Sequence, residues 1–242
     1  MYNKSVEPFE HEWIRLSLKN VSRIVFSPMK VKGVFTLEQV KDIVRVASSL
    51  LHGEIYVPLF LLALFGFLRL SNLVPPSICQ FNPGVHLARG DLLAMPSHGT
   101  LIIKWSKTLQ KSQDFATIQI PSLNNSPLCP MTSLLNMFSK YPSHNNAPMF
   151  LIPQGRGYVT LTQGKVRKFL KNILLALGLC PSTFPFHTFR RTGASWAFAN
   201  ATPLQDIQLQ GTWSSDAVWA YLIQDPSQQS RVTTTFKHMF AS

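Results

Sequence analysis

The first two strongly hydrophobic segments of the chain have helical spacing. Thr36 and Gln39 match a capping box, and apolar residues then recur at intervals of three and four over 36–51. The segment 55–70 is apolar on nearly every side until Arg69, so it predicts a core helix that reaches the surface at its C-terminal end. Its apolar run of about 13 residues is shorter than a bilayer-spanning helix needs.

After Pro75 and Pro76 the pattern changes to short alternating runs. Three of them predict β-strands: residues 92–95, 101–105 and 117–121. Residues 106–111 then form the hairpin between the last two strands, and 122–148 is a connection around one helix at 131–139. The sequence therefore predicts a mainly α fold with a small antiparallel β-sheet, an α+β class.

A strongly amphipathic helix is predicted next. Thr160 or Thr162 opens it, and it continues to Leu177 with its apolar residues on one face. Four basic residues lie on the opposite face: Lys165, Arg167, Lys168 and Lys171. Such a face either contacts a polyanion or is an ordinary solvated surface, and the spacing leaves both interpretations open.

A titratable ring and a fixed cation lie close together further along the chain. His187 and Arg190 are three residues apart in a segment, 187–200, that has the small and apolar residues of a packed helix. Side chains at that spacing share one helix face. On spacing alone, such a pair is more often part of a solvated face than of a site.

Two further helix signals follow. A capping box with proline at the first helical position predicts a helix over 203–210, which Gly211 ends. Ser214 or Ser215 can cap a last helix, in which Tyr221 lies about two turns from the start. Three short helices thus carry four candidate residues in the order His187, Arg190, Trp213 and Tyr221.

The charge distribution favours a nucleic-acid partner. The formal net charge is +12, and between Glu54 and Asp206 only Asp91 and Asp114 interrupt 13 Lys and Arg residues. A basic protein with so few acids is expected to bind a polyanion. Membrane surface is the competing polyanion, but the chain has neither a clustered basic tail nor a lipidation signature.

Cysteine usage favours a reducing compartment. Cys79, Cys129 and Cys180 are far apart and form no C-x-x-C pair, and residues 1–4 do not resemble the start of a secretory leader. We therefore expect an intracellular protein without a metal site.

Residues 184–224 resemble the C-terminal motif block of the tyrosine recombinase (phage integrase) family. The match covers the His-x-x-Arg pair, a later Trp after a Gly, and a Tyr: His187, Arg190, Trp213 and Tyr221. Trp213 follows Arg190 by 23 positions, as in the family, but Tyr221 follows Trp213 by eight, one fewer than is common. Eukaryotic mobile-element recombinases of the Crypton, Ngaro and DIRS-like kind often have this shorter spacing, so the resemblance is closest to them.

Two upstream segments extend the resemblance. The context of Arg69 is similar to the first arginine motif of the family, although a cation near a helix C-terminus is also favoured by the helix dipole. The family usually has an acid three residues later, where this chain has Asn72, so a different group is expected to orient Arg69. Lys107 matches the lysine of the family's β-hairpin, but could also be an ordinary exposed lysine in a basic turn.

The resemblance implies DNA strand cleavage and rejoining through a 3′-phosphotyrosyl intermediate, without a cofactor, metal or ATP. A phosphodiester gains charge in its transition state, so an enzyme without Mg²⁺ needs fixed cations and donors. The resemblance assigns six roles: phosphate-binding cations (Arg69 and Arg190), indole donor (Trp213), nucleophile (Tyr221), base (His187) and acid (Lys107). DNA-backbone contacts are expected from the basic helix face and from Lys104, Lys111 and Arg191.

Three segments are predicted. Residues 1–34 form a helix and linker, a possible remnant of the family's core-binding domain; 35–225 form the catalytic domain; and 226–242 form a tail. The first segment is too short for a DNA-clamping domain, so we expect either a fragment or a clamp supplied in another way. The tail either docks on a neighbouring subunit, as the resemblance suggests, or is a frayed terminus.

The resemblance also implies double-stranded DNA as partner, self-association on it as a dimer or tetramer, and a nuclear location. Two alternatives remain within DNA chemistry: a binding protein that kept the fold and lost catalysis, and a type IB topoisomerase, which would relax supercoils as a monomer. A basic helical interaction module would explain the charge but not the order of the motifs.

Overall fold

The computed structural model of the chain describes residues 33–104, 115–123, 125–213 and 216–222. These residues form a mainly helical fold with two small antiparallel sheets, which confirms the predicted fold class. Most of the predicted N-terminal segment and the whole tail lie outside the described residues. Within the described part, no helix combines the length and apolar character needed to cross a membrane.

The first two helices lie close to where the hydrophobic spacing predicts them. Helix α1 is Leu37–Ser49, and its capping box forms: the Thr36 hydroxyl accepts from the Gln39 amide at 3.1 Å, and the Gln39 side chain accepts from the Thr36 amide at 3.0 Å. Helix α2 is Gly53–Phe65, and nearly all of its side chains are buried. It packs against α1 and against three later helices and therefore forms the centre of the core.

The predicted C-terminal end of α2 is wrong. The helix stops at Phe65 because the chain reverses there: Leu68 N–H donates to the Ala63 carbonyl at 3.2 Å, and Phe67 has a left-handed backbone with φ of 47°. Arg69 consequently does not end a helix. Its backbone is extended, and it immediately precedes the short helix α3, Leu70–Leu73.

The predicted antiparallel sheet is present. Its strands are β1, Leu92–Ala94; β2, His98–Ile103; and β3, Ala116–Pro121, in the order β1-β2-β3. Its buried face consists of Leu101, Ile103, Ile118 and Ile120. Strand β2 begins three residues before the predicted start, because His98 and Gly99 pair with β3. The predicted hairpin, residues 106–111, lies outside the described residues.

The middle of the chain contains one element that the sequence reasoning missed. Helix α4, Pro130–Lys140, matches the predicted one, but it is followed by a hairpin of β4, Leu151–Gln154, and β5, Gly157–Thr160. The turn of this hairpin has Gly155 in the left-handed region, with φ of 59°. The amphipathic helix α5 is Gln163–Ala176, and its four predicted basic residues are all exposed.

The C-terminal helices are shorter than predicted. Helix α6 is Thr188–Ala199, with His187 as its N-cap residue, and α7 is Leu204–Gln210. Pro203 is the N-cap of α7, not its first helical residue, and no side chain caps it. The predicted last α-helix is instead a 3₁₀ segment, Asp216–Ala220, that ends before Tyr221. The proposed caps Ser214 and Ser215 lie outside the described residues.

Two apolar clusters support these elements. In the main core, Phe60 of α2 stacks on Phe189 of α6 with ring centroids 5.0 Å apart. The smaller cluster lies around the last elements: Phe67, Ala194, Ile207, Trp213, Val218 and Leu222. Candidate site residues therefore lie within the packing of the second cluster.

One ion pair connects the beginning of α2 to the end of α4. The Glu54 carboxylate accepts from Lys140 Nζ at 2.6 Å and from the Tyr141 hydroxyl. Partial burial raises the pKa of Glu54, but these hydrogen bonds outweigh it and hold the pKa at about 2, below the ordinary 4.5. An acid with a lowered pKa stabilises the fold above its unfolded value, and this contribution is lost as the pH falls from 4.5 towards 2.

We expect Glu54→Gln to lower the melting temperature at pH 7 by about 2–4 °C, or ~1 kcal/mol after allowing for partial exposure. The difference from the parent should narrow as the pH is lowered below 4.5. Thermal unfolding followed by circular dichroism between pH 3 and 7 measures both. Glu38→Gln, at an exposed pair with Lys41 within α1, is the matched control and should change little. A pH-independent loss would contradict the assignment.

Candidate active site

Arg190 is the most deeply buried charged residue of the described chain, with 1% of its surface exposed. It lies in the first turns of α6. Its Nη1 donates to the Phe67 carbonyl after α2, and its Nη2 donates to the Gly211 carbonyl after α7 at 2.8 Å. Two loops thus hold one guanidinium by their backbone oxygens.

Close packing of backbones brings α6 near the end of α2. A Cβ atom on Gly193 would lie 2.0 Å from the Leu64 carbonyl oxygen and 2.7 Å from the Phe67 ring. Only glycine fits at this distance. Gly193, which the sequence presents only as one small residue among several, therefore determines how closely Arg190 approaches the Phe67 carbonyl.

No carboxylate of the described residues forms an ion pair with Arg190. Burial lowers its pKa to about 9, the neighbouring charge of Arg69 acts in the same direction, and Tyr221 acts in the opposite one. Its Nε is buried and has no hydrogen-bond partner. An anion placed beside the two arginines would therefore be strongly favoured.

Trp213 covers one side of this cation. Its ring centroid is 3.8 Å from Arg190 Cζ, within the range of a cation–π contact. The indole Nε1 is buried and has no hydrogen-bond partner. The other side of the packing is Gly211, which contacts the indole closely: a Cβ at that position would lie 1.7 Å from the ring, so only glycine fits there.

Tyr221 lies among the other candidates. Its ring centroid is 5.0 Å from that of His187, 5.1 Å from that of Trp213 and 5.4 Å from Arg190 Cζ. The Ser195 hydroxyl on α6 donates to the Tyr221 carbonyl at 2.9 Å. The sequence reasoning missed Ser195, since a serine on a helix carries no signal of its tertiary partner.

Arg69 approaches the site from the loop after α2. Its backbone N–H donates to Asn72 Oδ1 at 3.2 Å, and the Asn72 N–H donates to the Arg69 carbonyl at 3.0 Å. Asn72, which occupies the position where the family usually has an acid, thus fixes the backbone of Arg69. Its side-chain amide provides an acceptor for this N–H, as a carboxylate could.

The remaining candidates have different surroundings. Arg191 is half-buried, with Cζ 5.9 Å from the Tyr221 ring; burial lowers its pKa and Tyr221 raises it. Lys104 Nζ contacts Asp91 at 2.6 Å and the Pro83 carbonyl at 2.8 Å, so its charge is already paired. Lys107 and Lys111 lie outside the described residues.

The basic face of α5 is separate from these aromatic contacts. Its members are Lys165, Arg167, Lys168 and Lys171, and Arg167 donates to Gln163 Oε1 at 2.9 Å. None of the four forms an ion pair with an acid of the described chain. Their charge is available to a polyanion in solvent.

Comparison with solved structures identifies the fold. The chain is similar to the XerH site-specific recombinase bound to palindromic difH substrate, with a TM-score of 0.61 and 15% identity over 87% of this chain and 55% of that one. It is also similar to the Tn1549 transposon integrase in complex with circular intermediate DNA, with a TM-score of 0.57 and 13% identity over 95% and 71% of the two chains. The chain has the tyrosine recombinase catalytic-domain fold.

A third similar structure is a lambda integrase dimer bound to a core site, with a TM-score of 0.55 and 18% identity over 84% of this chain and 51% of that one. The chain thus spans about half the length of the XerH and lambda proteins. No family model matches the sequence, and no curated protein matches it. The likeness lies in the fold, which the recombinase catalytic domain keeps at low sequence identity.

We expect Gly211→Ala to destabilise the protein by about 1–3 kcal/mol, because the added methyl group must displace the Trp213 indole. Thermal or urea unfolding measures the loss. Gly164→Ala is the matched control: Gly164 lies in α5 with no atom within 4 Å of an added Cβ, so alanine there should stabilise by about 0.5–1 kcal/mol. Equal effects of the two changes would contradict the packing of Trp213 on Gly211.

Proposed function

We propose that this chain is the catalytic domain of a tyrosine recombinase, which cleaves and rejoins double-stranded DNA through a 3′-phosphotyrosyl intermediate. The observation that carries the proposal is the position of Tyr221: its ring lies within about 5 Å of the His187 and Trp213 rings and beside the buried Arg190. No carboxylate of the described residues pairs with Arg190, and a DNA phosphate would supply this negatively charged partner.

The proposed first step is a transesterification. The Tyr221 hydroxyl oxygen attacks the phosphorus and forms a P–O bond, while the bond to the 5′ oxygen breaks. His187 takes the phenolic proton as general base, and Lys107 gives a proton to the departing 5′ oxygen. The energy of the phosphodiester is kept in the new bond, so that a 5′-hydroxyl can reverse the step without ATP.

The arginines supply the charge stabilisation of this step. Arg69 and Arg190 bind the non-bridging oxygens, whose charge grows in the transition state. The unpaired Nε of Arg190 and the unpaired Nε1 of Trp213 are donors that such an oxygen satisfies. Neither guanidinium pairs with a carboxylate of the described residues, so the two favour an anionic ligand over a neutral one. Metal-independent cleavage is part of the proposal.

The assembly and the origin of the protein are further parts of the proposal. The XerH, Tn1549 and lambda structures are DNA complexes, and the lambda integrase is a dimer. We propose that this chain also acts on double-stranded DNA and self-associates on it. The eight-residue interval from Trp213 to Tyr221 is the basis on which we further propose a eukaryotic mobile-element origin and a nuclear location.

Tyr221→Phe should abolish covalent attachment to DNA. The protein is incubated with labelled nicked duplexes at low salt, denatured with detergent and separated by electrophoresis. We expect a DNA-linked band for the parent and for Tyr158→Phe, which changes an exposed tyrosine of β5, but not for Tyr221→Phe. A band that persists in Tyr221→Phe, or the absence of an adduct on every duplex that the protein binds, would reject the proposal.

The same preparation separates recombinase from topoisomerase chemistry. A monomer that relaxes supercoiled plasmid in a Tyr221-dependent manner, and never joins two duplexes, would favour the topoisomerase. Formation of joined products between two duplexes supports the recombinase.

The double variant Lys165→Gln/Lys168→Gln should weaken DNA binding equally across sequences. Each lost phosphate contact lowers the slope of log K against log salt by about 1, so we expect a reduction of about 2. Binding is measured by fluorescence anisotropy at several salt concentrations. Arg156→Gln, at the exposed turn between β4 and β5, is the control. An unchanged slope in the double variant would remove α5 from the interface.

A further inference from the structure

We infer that Gln210 is a positioning residue, whose side-chain amide holds the two loops around Arg190 and strand β3 in fixed relation. The inference rests on the proposed function for its catalytic consequence. Its structural part depends only on the contacts of Gln210 and Arg190.

The Gln210 amide nitrogen makes two hydrogen bonds. Nε2 donates to the Phe65 carbonyl at 3.0 Å and to the Gln119 carbonyl at 2.7 Å. An amide NH₂ has two hydrogens, so both are used. Phe65 is the last residue of α2, where helix carbonyls lack partners within the helix. Gln119 belongs to β3, which is an edge strand of its sheet.

Each end of this connection is close to an acceptor of Arg190. Gln210 immediately precedes Gly211, whose carbonyl accepts from Arg190 Nη2 at 2.8 Å. Phe65 is two residues before Phe67, whose carbonyl accepts from Arg190 Nη1. Because the Gln210 amide joins the last residue of α7 to the last residue of α2, directly before the two loops that hold the guanidinium, it fixes the separation of the two carbonyls.

The second bond brings in the sheet. Strand β3 directly follows the segment that contains Lys107, the proposed general acid. A hydrogen bond from Gln210 to β3 therefore ties this strand to the same loops that hold Arg190 and Trp213. Gln210 itself has no place in the chemistry, and it acts by keeping the phosphate-binding arginine and the strand after Lys107 in register.

Three variants separate positioning from general stability. Gln210→Met has similar length and no donor, whereas Gln210→Lys restores a donor. Gln205→Met, at an exposed position of the same helix, is the matched control. Covalent adduct formation is measured at saturating nicked duplex, and DNA affinity is measured separately on the Tyr221→Phe background.

We expect Gln210→Met to slow adduct formation about tenfold at saturating DNA, since displacement of a catalytic group by a fraction of an ångström has effects of this order or larger. The DNA affinity of Gln210→Met should stay within about twofold of the parent value. Gln205→Met should match the parent in both rate and affinity. Gln210→Lys should recover most of the rate. An unchanged rate in Gln210→Met, a loss that appears only as weaker binding, or no recovery in Gln210→Lys would overturn the inference.

A second measurement does not depend on activity. The melting temperature is determined for Gln210→Met in the parent and in an Arg190→Met background, with Arg190→Lys as the substitute if the methionine variant does not fold. The amide acts through the loops that hold Arg190. Gln210→Met should therefore lower the melting temperature of the Arg190→Met background by less than half as many degrees as it lowers that of the parent. Equal losses in both backgrounds would overturn the inference. If the parent forms no adduct, the proposed function fails, and this cycle still decides the role of Gln210.

Discussion

The structure depends on the burial of one guanidinium that has no carboxylate partner among the described residues. Burying an unpaired charge is costly, and backbone carbonyls and an aromatic face compensate for it here. The carbonyls of Phe67 and Gly211 and the Trp213 ring surround Arg190. Phe67 follows α2, whereas Gly211 and Trp213 both follow α7, and Arg190 itself lies in the first turn of α6. Helices α2 and α7 must therefore end, and α6 must begin, at the correct residues before the charge can be accommodated.

This requirement explains local features that would otherwise be unfavourable. Phe67 adopts a left-handed backbone, which costs a residue with a Cβ atom about 1–2 kcal/mol, and its carbonyl thereby reaches Arg190. Arg190 Nε and Trp213 Nε1 are buried and lack hydrogen-bond partners. Backbone strain and unsatisfied donors at one place are characteristic of a site that binds a charged ligand. A phosphate carries the negative charge that complements these arginines.

Much of the fold followed from periodicity and capping alone. The capping box of α1, the amphipathic pattern of α5 and the alternating runs of β1 to β3 each reflect local chemistry, so their positions could be predicted closely. The end of α2 and the 3₁₀ segment before Tyr221 could not. A left-handed Phe67 and a tight turn at Val218 are held by tertiary contacts, and neither residue type is typical of such a conformation.

The sequence by itself determined the order and types of the candidate residues, because arginine, tryptophan, histidine and tyrosine at these spacings have a restricted chemistry. Only the tertiary structure decided which of them meet. Arg190 and Tyr221 are 31 positions apart, and their contact depends on loops that Gly193, Ser195 and Gln210 hold in place. Those residues leave no pattern in the sequence, since their partners are backbone atoms, and every residue type provides the same backbone carbonyl.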